Sequence, residues 1–496
     1  METHIDSIGA YLALAGFLIL NFIVGTYKRK KTETLEDYAL ANHSFGSFSV
    51  MVTLAATVIG AKYVTVKITD VQEFGIVVPL FQALGFMMVI FFLGWDVFPR
   101  LSRYKNCYTI GDVIGRVYGK HAQLYTGAVS LFLCLFFVTS QLVMMGSLCK
   151  ALGLRRELVI LSVGGVITLY TYLGGIRAVT KTDKLQLSFV VMGFSFLAFK
   201  VLRLDILEGK GFAGLFKRVK EQYPDHLTIS SHPWFWMTFL AIISLSTIFL
   251  TPPVIQRVLM AGKSERIHGA FLNFAFFYPF FTVMLVIIGL GLLLTHGPSK
   301  IGELATIDVM IKEICGGEAL VEVLLFVVLT AVVMSSADSF LNSMVVVVLQ
   351  DIVKPSQNSK KEKINELRWI KLITVVSGLS ATILAVMFKK TWPANLLDFA
   401  RTVFSSLLVI FIATLWGYKE DKRSFFYSVS TFLAMTAISG WLAYDGYLDK
   451  FFVWNSKMLL RRKMFYLFPF CLMGSALVLF GRYLLRKRAL PRKTLH

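Results

Sequence analysis

Apolar runs of about twenty residues recur along the whole chain and constrain its fold more than any other feature. The hydrocarbon layer of a bilayer is about 30 Å thick, so a helix needs about 20 mostly apolar residues to cross it. The composition agrees, because 56% of the residues are hydrophobic and only 16% are charged. A soluble chain of this length could not bury so much apolar side chain. The sequence therefore predicts an all-α polytopic membrane protein.

The runs predict about 13 transmembrane helices. The first is followed directly by the basic residues 28–31, which indicates a retained helix rather than a cleaved signal. The predicted spans are 6–26, 45–69, 74–97, 123–149, 157–173, 183–203, 233–254, 267–295, 320–352, 369–388, 394–417, 424–444 and 464–483.

Lysine and arginine are more abundant in alternate loops, which predicts the orientation of the spans. An odd number of spans places the termini on opposite sides, and this bias puts the N-terminus outside and the C-terminus in the cytoplasm. We expect a bacterial inner membrane, although a eukaryotic plasma membrane fits as well. The stretch 204–223 is patterned like a helix lying along the interface, and the basic tail after residue 482 resembles a cytoplasmic anchor.

The net charge of +21 does not indicate nucleic-acid binding. The basic residues lie in short loops rather than on a folded soluble face. The five cysteines form no CxxC pair and have no metal-ligand spacing. The spans carry no cluster of nucleophile, base or metal ligands, so an enzyme is not expected.

Two predicted spans look broken. The run from residue 45 carries Gly60 and Lys62 near its middle, and the run from residue 233 ends at Pro252-Pro253. They lie five spans apart, and each opens a block of five. This is typical of an inverted repeat whose discontinuous helices free backbone groups to bind ions and substrate. Two ordinary kinked helices are the alternative.

Two motifs give this pattern a family resemblance. The segment 170–186 carries the pairs Tyr-Thr, Gly-Gly, Ala-Val and Thr-Asp, each two residues after the one before, and then a glutamine. The segment 331–343 is rich in small residues and hydroxyls and is predicted to be helical. Together they resemble the sodium:solute symporter family, which has the LeuT-type fold. The matching positions of the first motif are Tyr170, Thr171, Gly174, Gly175, Ala178, Val179, Thr182, Asp183 and Gln186.

The resemblance implies an all-α LeuT-type 5+5 inverted repeat with broken first and sixth core helices. Its predicted parts are residues 1–44 (an extra helix and a cytoplasmic loop), 45–203 (the first repeat), 204–232 (an extracytoplasmic loop), 233–417 (the second repeat) and 418–496 (two extra helices and the basic tail).

The resemblance also implies a site for the coupling ion, Na⁺. It assigns as ligands the carbonyls of Ala56, Ile59 and Val332 and the hydroxyls of Ser335 and Ser336.

Two further residues follow from the same resemblance. Asp183 and Ser339 match a second sodium site or the exit path of the ion. Read from the residues alone, Thr182 or Asp183 instead suits a helix N-cap facing water, and serines in spans often serve packing only.

The family's central cavity implies Tyr63, Ser244 and Thr247 as substrate-binding residues. Lys62 and Arg401 are charges within spans, where a cation costs roughly 2.5–3.5 kcal/mol or more. They either bind an anionic group of the substrate or pair with Asp70, Glu73, Asp338 or Asp398. Lys67 is expected nearer the outer surface, as a gate or interface charge. The chain departs from the family where Pro252-Pro253 replaces a common Asn-Gln pair.

These expectations describe a sodium-coupled symporter that imports a small polar organic solute by alternating access, with a monomer sufficient for function. A proton-coupled or sodium-independent carrier of the same fold and a transporter-like sensor are the alternatives. No pore-loop filter typical of a channel is visible. The sequence does not name the solute.

Overall fold

A computed structural model describes residues 7–27, 34–104, 106–228, 246–298, 307, 309–356, 365–388, 392–418, 422–444 and 470–482. Every regular element in these ranges is helical. The α-helices are α1 (Ser7–Thr26), α2 (Leu35–Leu40), α3 (Ser47–Val58), α4 (Ala61–Phe74), α5 (Val77–Phe92), α6 (Ile110–Tyr118), α7 (Lys120–Ala151), α8 (Arg156–Val201), α9 (Gly211–Gln222), α10 (Pro252–Ala261), α11 (Ser264–His296), α12 (Ala319–Val347), α13 (Lys354–Ser356), α14 (Glu366–Met387), α15 (Trp392–Ser405), α16 (Leu408–Leu415), α17 (Lys422–Tyr444) and α18 (Phe470–Arg482).

Short 3₁₀ and π segments join several of these helices. One π segment extends α5, one extends α12, and a third lies before the loop that leads into α12. The 3₁₀ segments are Ala41–His43, Phe98–Arg103, Asp205–Leu207, Pro224–His226 and Ser246–Leu250, and the π segments are Leu93–Val97, Met310–Ile314 and Val348–Val353.

Within the described ranges, eight stretches are long and apolar enough to cross a membrane, and the bent pair α3–α4 makes a ninth. The predicted number of spans exceeds this for identifiable reasons. Most of the predicted span 233–254 lies outside the described residues, as does part of the span 464–483. The predicted spans 157–173 and 183–203 both fall within α8. The predicted span 424–444 corresponds to α17, which is not among the eight stretches. The number thirteen therefore stays a prediction.

The helix α8 is two helices joined at a sharp turn. At 1.5 Å per residue, Tyr170 and Thr182 would lie about 18 Å apart on a straight helix. Both side chains nevertheless reach the same oxygen of Asp338, at 2.6 and 3.3 Å. Gly175 provides the turn, with φ +52° and ψ −141°, torsions that only glycine adopts without strain. The reversal predicted at the paired glycines is confirmed.

The predicted N-cap after this turn is wrong. The helical torsions resume directly after Gly175, so Thr182 and Asp183 lie within the second half of α8. The Thr182 hydroxyl donates to the carbonyls of Ala178 and Val179 in its own helix. Asp183 is fully buried rather than facing water.

The first broken span is confirmed. Helix α3 ends at Val58, α4 begins at Ala61, and their axes differ by 66°. The two halves of the broken span both pack against α11. Helix α3 also packs against α8, α10 and α12, and α4 also packs against α5.

A segment of residues 34–46, which we name the brace, leads into α3. It contains α2 and then three consecutive non-glycine residues in the left-handed region, Ala41, Asn42 and His43, with φ of 51–53°. Such torsions persist only where the surroundings fix them. The side of the molecule where the brace enters α3 is called the basal side below.

Four helices fix the brace. Arg177, directly after the α8 turn, donates to Asp37 Oδ1 at 2.6 Å, and Tyr38 shares a 3.2 Å hydrogen bond with Thr374 on α14. From α10, Gln256 donates to the Ala39 carbonyl at 2.8 Å. From α11, Arg266 donates to the His43 carbonyl, also at 2.8 Å.

The stretch 204–223 contains the helix α9, as predicted, with Leu215 and Val219 buried on one face. The basic tail beyond residue 482 lies outside the described residues.

Candidate ion and substrate site

The break between α3 and α4 frees backbone carbonyls inside the protein. In a continuous helix the amides of Gly60 and Ala61 would bond the carbonyls of Ala56 and Thr57. Here the Gly60 amide donates to the Val58 carbonyl at 3.1 Å, and the Ala61 amide donates to Gln141 Oε1 at 3.4 Å. The carbonyls of Ala56 and Thr57 lose their helical donors, in a region where Ala56 and Ile59 are buried. Buried carbonyls without donors are suited to a cation.

Helix α12 faces this break with its serine-rich stretch. A Cβ atom on Gly60 would lie 3.5 Å from the Ser336 hydroxyl. The hydroxyls of Ser335 and Ser336 both lie 3.1 Å from the Val332 carbonyl, to which they donate. The structure thus brings Ser336, one of the predicted sodium ligands on α12, against the break that carries Ala56 and Ile59.

Gln141 on α7 was not predicted to belong to this region. Its side chain is buried, its amide oxygen accepts from Ala61, and its amide nitrogen lies 3.4 Å from the Cβ position of Gly60. A single glutamine in an apolar span gives no sequence signal beyond its polarity, since packing and interhelical hydrogen bonding explain such residues equally well.

Asp183 and Ser339 belong to one buried cluster on the basal side of the break. Both side chains are fully buried. The Thr53 hydroxyl donates to Asp183 Oδ2, and the Thr57 hydroxyl donates to Ser339 Oγ at 3.0 Å. Since Thr53 and Thr57 lie one turn apart on α3, that helix links the two predicted residues.

Arg257 completes this cluster and was missed by the sequence analysis. It follows the end of the predicted span 233–254, but the structure places it within α10, fully buried. Its Nη2 donates to Ser339 Oγ at 2.7 Å and lies 3.7 Å from Asp183 Oδ2. Its Nε donates to Thr53 Oγ1 at 2.9 Å.

Asp338 lies in the same interior and is also fully buried. Its Oδ2 accepts from Tyr170 and Thr182 of α8. Considered above as a partner for Lys62 or Arg401, it bonds these two α8 hydroxyls instead.

Lys62 and Arg401 meet at one carboxylate. Lys62 Nζ lies 3.4 Å and Arg401 Nη1 3.7 Å from Asp398 Oδ1. The side chains of Lys62, Asp398 and Arg401 are 23%, 19% and 28% exposed, so this group is only partly desolvated. The Arg401 guanidinium also lies 5.7 Å from the centre of the Phe137 ring.

The other predicted substrate residues lie elsewhere. Tyr63 faces α11, where its hydroxyl is 2.7 Å from Thr282 Oγ1 and its ring packs on Tyr278. Thr247 belongs to the 3₁₀ segment before α10 and lines a narrow crevice with Ser405. Ser244 lies outside the described residues.

Lys67 is not an interface charge, and a gate role for it stays a prediction. Its side chain is buried rather than at an interface, donates to Gln82 and lies 3.8 Å from Asp70. The apolar surroundings make the carboxylate of Asp70 a necessary partner.

Two solved structures resemble the whole chain in fold. One is a Na⁺-coupled sialic acid symporter in a substrate-bound, outward-open state, with a TM-score of 0.78, 15% identity, and coverage of 95% of this chain and 98% of that one. The other is Mhp1, a nucleobase-cation-symport-1 family transporter with bromovinylhydantoin bound, with a TM-score of 0.56, 11% identity, and coverage of 94% and 97%. The predicted LeuT-type fold is confirmed.

Two curated relatives share part of the sequence. Solute carrier family 5 member 4A of Mus musculus is 23% identical over 47% of this chain and 36% of its own length. Solute carrier family 5 member 4 of Rattus norvegicus is 25% identical over 43% and 32%. The match therefore spans about a third of each relative.

The family comparison covers far more of the sequence, from residue 38 to residue 419, which includes most of the brace, both motifs and the cluster around the α3–α4 break. The chain belongs to the sodium:solute symporter family.

Proposed function

We propose that this protein is a secondary active symporter that imports a small organic solute together with sodium by alternating access. The observation that carries the proposal is the α3–α4 break, which frees backbone carbonyls and places Gly60 beside Ser336 of α12. Oxygen ligands suit a hard cation. The sodium-coupled symporter of similar fold supports the same reading.

In this proposal the ion is bound by the carbonyls of Ala56, Ile59 and Val332 and the hydroxyls of Ser335 and Ser336. These atoms come from two helices, α3 and α12, that are in contact with each other. An ion that bridges α3 and α12 favours the conformation in which both contribute ligands. If that conformation also binds the solute more tightly, binding of the ion and binding of the solute favour each other by thermodynamic linkage.

The orientation proposed from the loop charges makes the basal side cytoplasmic. Helices α3, α10 and α12 are joined there through Thr53, Arg257 and Ser339. The described conformation is then closed towards the cytoplasm, as an outward-facing or occluded carrier would be.

Uptake into proteoliposomes tests this proposal. Labelled solutes would be supplied with an inward sodium gradient, with an inward proton gradient, or with neither. The potassium concentration would be equal on the two sides of the membrane in every case. We expect accumulation of at least one solute to require sodium. Accumulation driven equally by protons without sodium would contradict sodium coupling, and the proton-coupled alternative would then hold.

We further propose that the solute carries an anionic group that binds at Lys62 and Arg401. Both cations share Asp398 at 3.4 and 3.7 Å, longer than an optimal charge-assisted hydrogen bond. Because Lys62 and Arg401 are partly exposed, they can bind an anion in addition to Asp398 at moderate desolvation cost. The symporter of similar fold, which takes sialic acid, fits this choice of solute.

Charge removal tests the anion proposal. Lys62→Gln and Arg401→Gln should each weaken solute binding by about 1.5–3 kcal/mol, roughly ten- to a hundredfold, because a charge-assisted hydrogen bond is lost. Solute affinity would be measured by displacement on purified protein. If Asp398→Asn restores the affinity of either variant, the cations form a structural ion pair only, and the anionic solute is contradicted.

A further inference from the structure

Arg257 is a fully buried cation that the sodium ligands proposed above do not include. It lies on α10, yet its guanidinium reaches three other helices. It donates to Thr53 of α3 and Ser339 of α12 and lies beside Asp183 of α8. The residues around the guanidinium thus supply two hydroxyl oxygens and a carboxylate oxygen.

Those oxygens are the kind of ligand that a sodium ion would need at the same place. Asp183 and Ser339 are also the two residues for which the family resemblance implied a second sodium site. The guanidinium and an ion cannot both occupy the space between them. The 2.7 Å contact of Arg257 Nη2 with Ser339 Oγ leaves no room for an ion between these two atoms.

The charges of the surrounding interior favour a cation at this place. Asp183 and Asp338 are both fully buried. Asp183 Oδ1, Asp338 Oδ1 and both amide atoms of Asn342 lack hydrogen-bond partners among the described residues. A buried carboxylate without a compensating cation is costly. Arg257 supplies a fixed positive charge beside Asp183 without any bound ion.

We propose that Arg257 is a tethered cation: in the described conformation its guanidinium takes the place that a second sodium ion would occupy between Asp183, Thr53 and Ser339. Sodium is then excluded from that place until α10 moves. This inference rests on the proposed function, and it deepens it by assigning one exchangeable sodium ion to the conformation that is closed on the basal side.

The same contacts make Arg257 a positioning residue for the basal closure. Its neighbour Gln256 donates to the brace at the Ala39 carbonyl and accepts from Ser343 of α12. Opening the basal side requires α10 to separate from α3 and α12, and this movement withdraws the guanidinium from Asp183. The tethered cation and the closure are therefore coupled.

The experiment counts sodium ions bound per chain, using radioactive sodium and purified full-length protein in detergent. We expect one ion for the wild type. Arg257→Ala removes the guanidinium and leaves an oxygen-lined space beside Asp183, so this variant should bind two. Arg257→Lys retains a fixed cation and should bind one. The double variant Arg257→Ala with Asp183→Asn should return to one.

Arg156→Ala is the matched control, since Arg156 is a partly buried arginine that bonds the carbonyls of Ala385 and Val386 at the far end of α14. It should bind the wild-type number of ions. Asp183→Asn alone makes the test independent of the folding of any Arg257 variant. The proposal requires that this substitution leave the wild-type count unchanged.

Two results would overturn the tethered cation: a wild type that binds two ions and loses one on Asp183→Asn, or a folded Arg257→Ala variant that still binds one. A wild type that binds none while Arg257→Ala binds one would refute sodium coupling but support the tethered cation. Absence of binding in both proteins would refute both proposals.

Discussion

Ser335 and Ser336 show how the proposed ion site depends on single hydroxyl groups. Both donate to the Val332 carbonyl in the described conformation, and Ser336 also lies beside Gly60 at the helix break. A hydroxyl can rotate, so each oxygen can turn from its helix to a bound cation. An ion in the proposed site could therefore gain both hydroxyl oxygens as ligands without unwinding α12.

Their removal gives the first prediction. Ser335→Ala and Ser336→Ala each delete one oxygen ligand and keep a good helix former. The sodium concentration for half-maximal uptake should rise roughly tenfold or more, because an interaction with a full charge contributes about 1.5–3 kcal/mol. Sodium titration of uptake, normalised to protein abundance, measures this.

Ser162→Ala is the control for this prediction, since that hydroxyl bonds the Leu158 carbonyl of its own helix and no other partner is seen among the described residues. Its sodium dependence should match the wild type. An unchanged sodium dependence in both Ser335→Ala and Ser336→Ala would mean that the ligands proposed on α12 are not those of the ion.

Sequence reasoning at this scale could single out a residue where a motif fixes its position. The motif 170–186 singled out Asp183 and the motif 331–343 singled out Ser336, whose roles in ion binding stay predictions. Arg257 was missed because it lies beyond the apolar run by which its span was recognised, and hydropathy does not tell a buried arginine from one in a loop. Only the packing of α3, α8 and α12 shows it.

At the scale of the element, the turn in α8 brings the motif 170–186 into contact with the brace. Gly175 has a positive φ, and a Cβ atom there would lie 2.6 Å from Tyr38 Cδ2. Tyr38 is itself fixed by Thr374 and by burial. The glycine therefore serves both the chain reversal and the close approach of the brace.

Gly175→Ala tests this pair of roles. The strained torsions alone cost of order 1–3 kcal/mol, and the overlap with Tyr38 adds to it. We expect a clear drop in the thermal unfolding midpoint of the purified protein. Gly165→Ala, in the same helix with nothing within 4 Å of its Cβ position, should be neutral or slightly stabilising. Equal midpoints for the two variants would contradict the role of the turn.

The elements themselves were predicted unequally well. The break of the first core span follows from a glycine and a lysine inside an apolar run, since a continuous lipid-facing helix would not contain that charge. The helix start after Gly175 was misplaced because Thr182 and Asp183 are good N-cap residues in any sequence. Tertiary contacts with Asp338 and Thr53 use these side chains within the helix instead.

At the scale of the whole molecule, the fold follows from the order of the motifs more than from the number of spans. Spacing alone left two kinked helices as an alternative to the inverted repeat. The proposed orientation rests on loop charges only. It requires that Ser356, exposed at the end of α13, face the cytoplasm, and that Lys210, exposed after α8, face outside.

Cysteine labelling tests this orientation. All five native cysteines are free and buried, so a background in which alanine replaces them loses no disulfide bond. In that background Lys210→Cys should react with an impermeant thiol reagent added to whole cells, and Ser356→Cys should react only after the membrane is permeabilised. The opposite pattern of labelling would invert the proposed topology.

The attachment of the brace has a further consequence for how the carrier fails. Four helices hold one short segment, through Asp37, Tyr38 and the carbonyls of Ala39 and His43. Because the brace continues directly into α3, a tilt of that helix would strain all four attachments together. Their release would then be cooperative, with few half-open forms. A cooperative release limits slippage, in which an ion escapes without its solute.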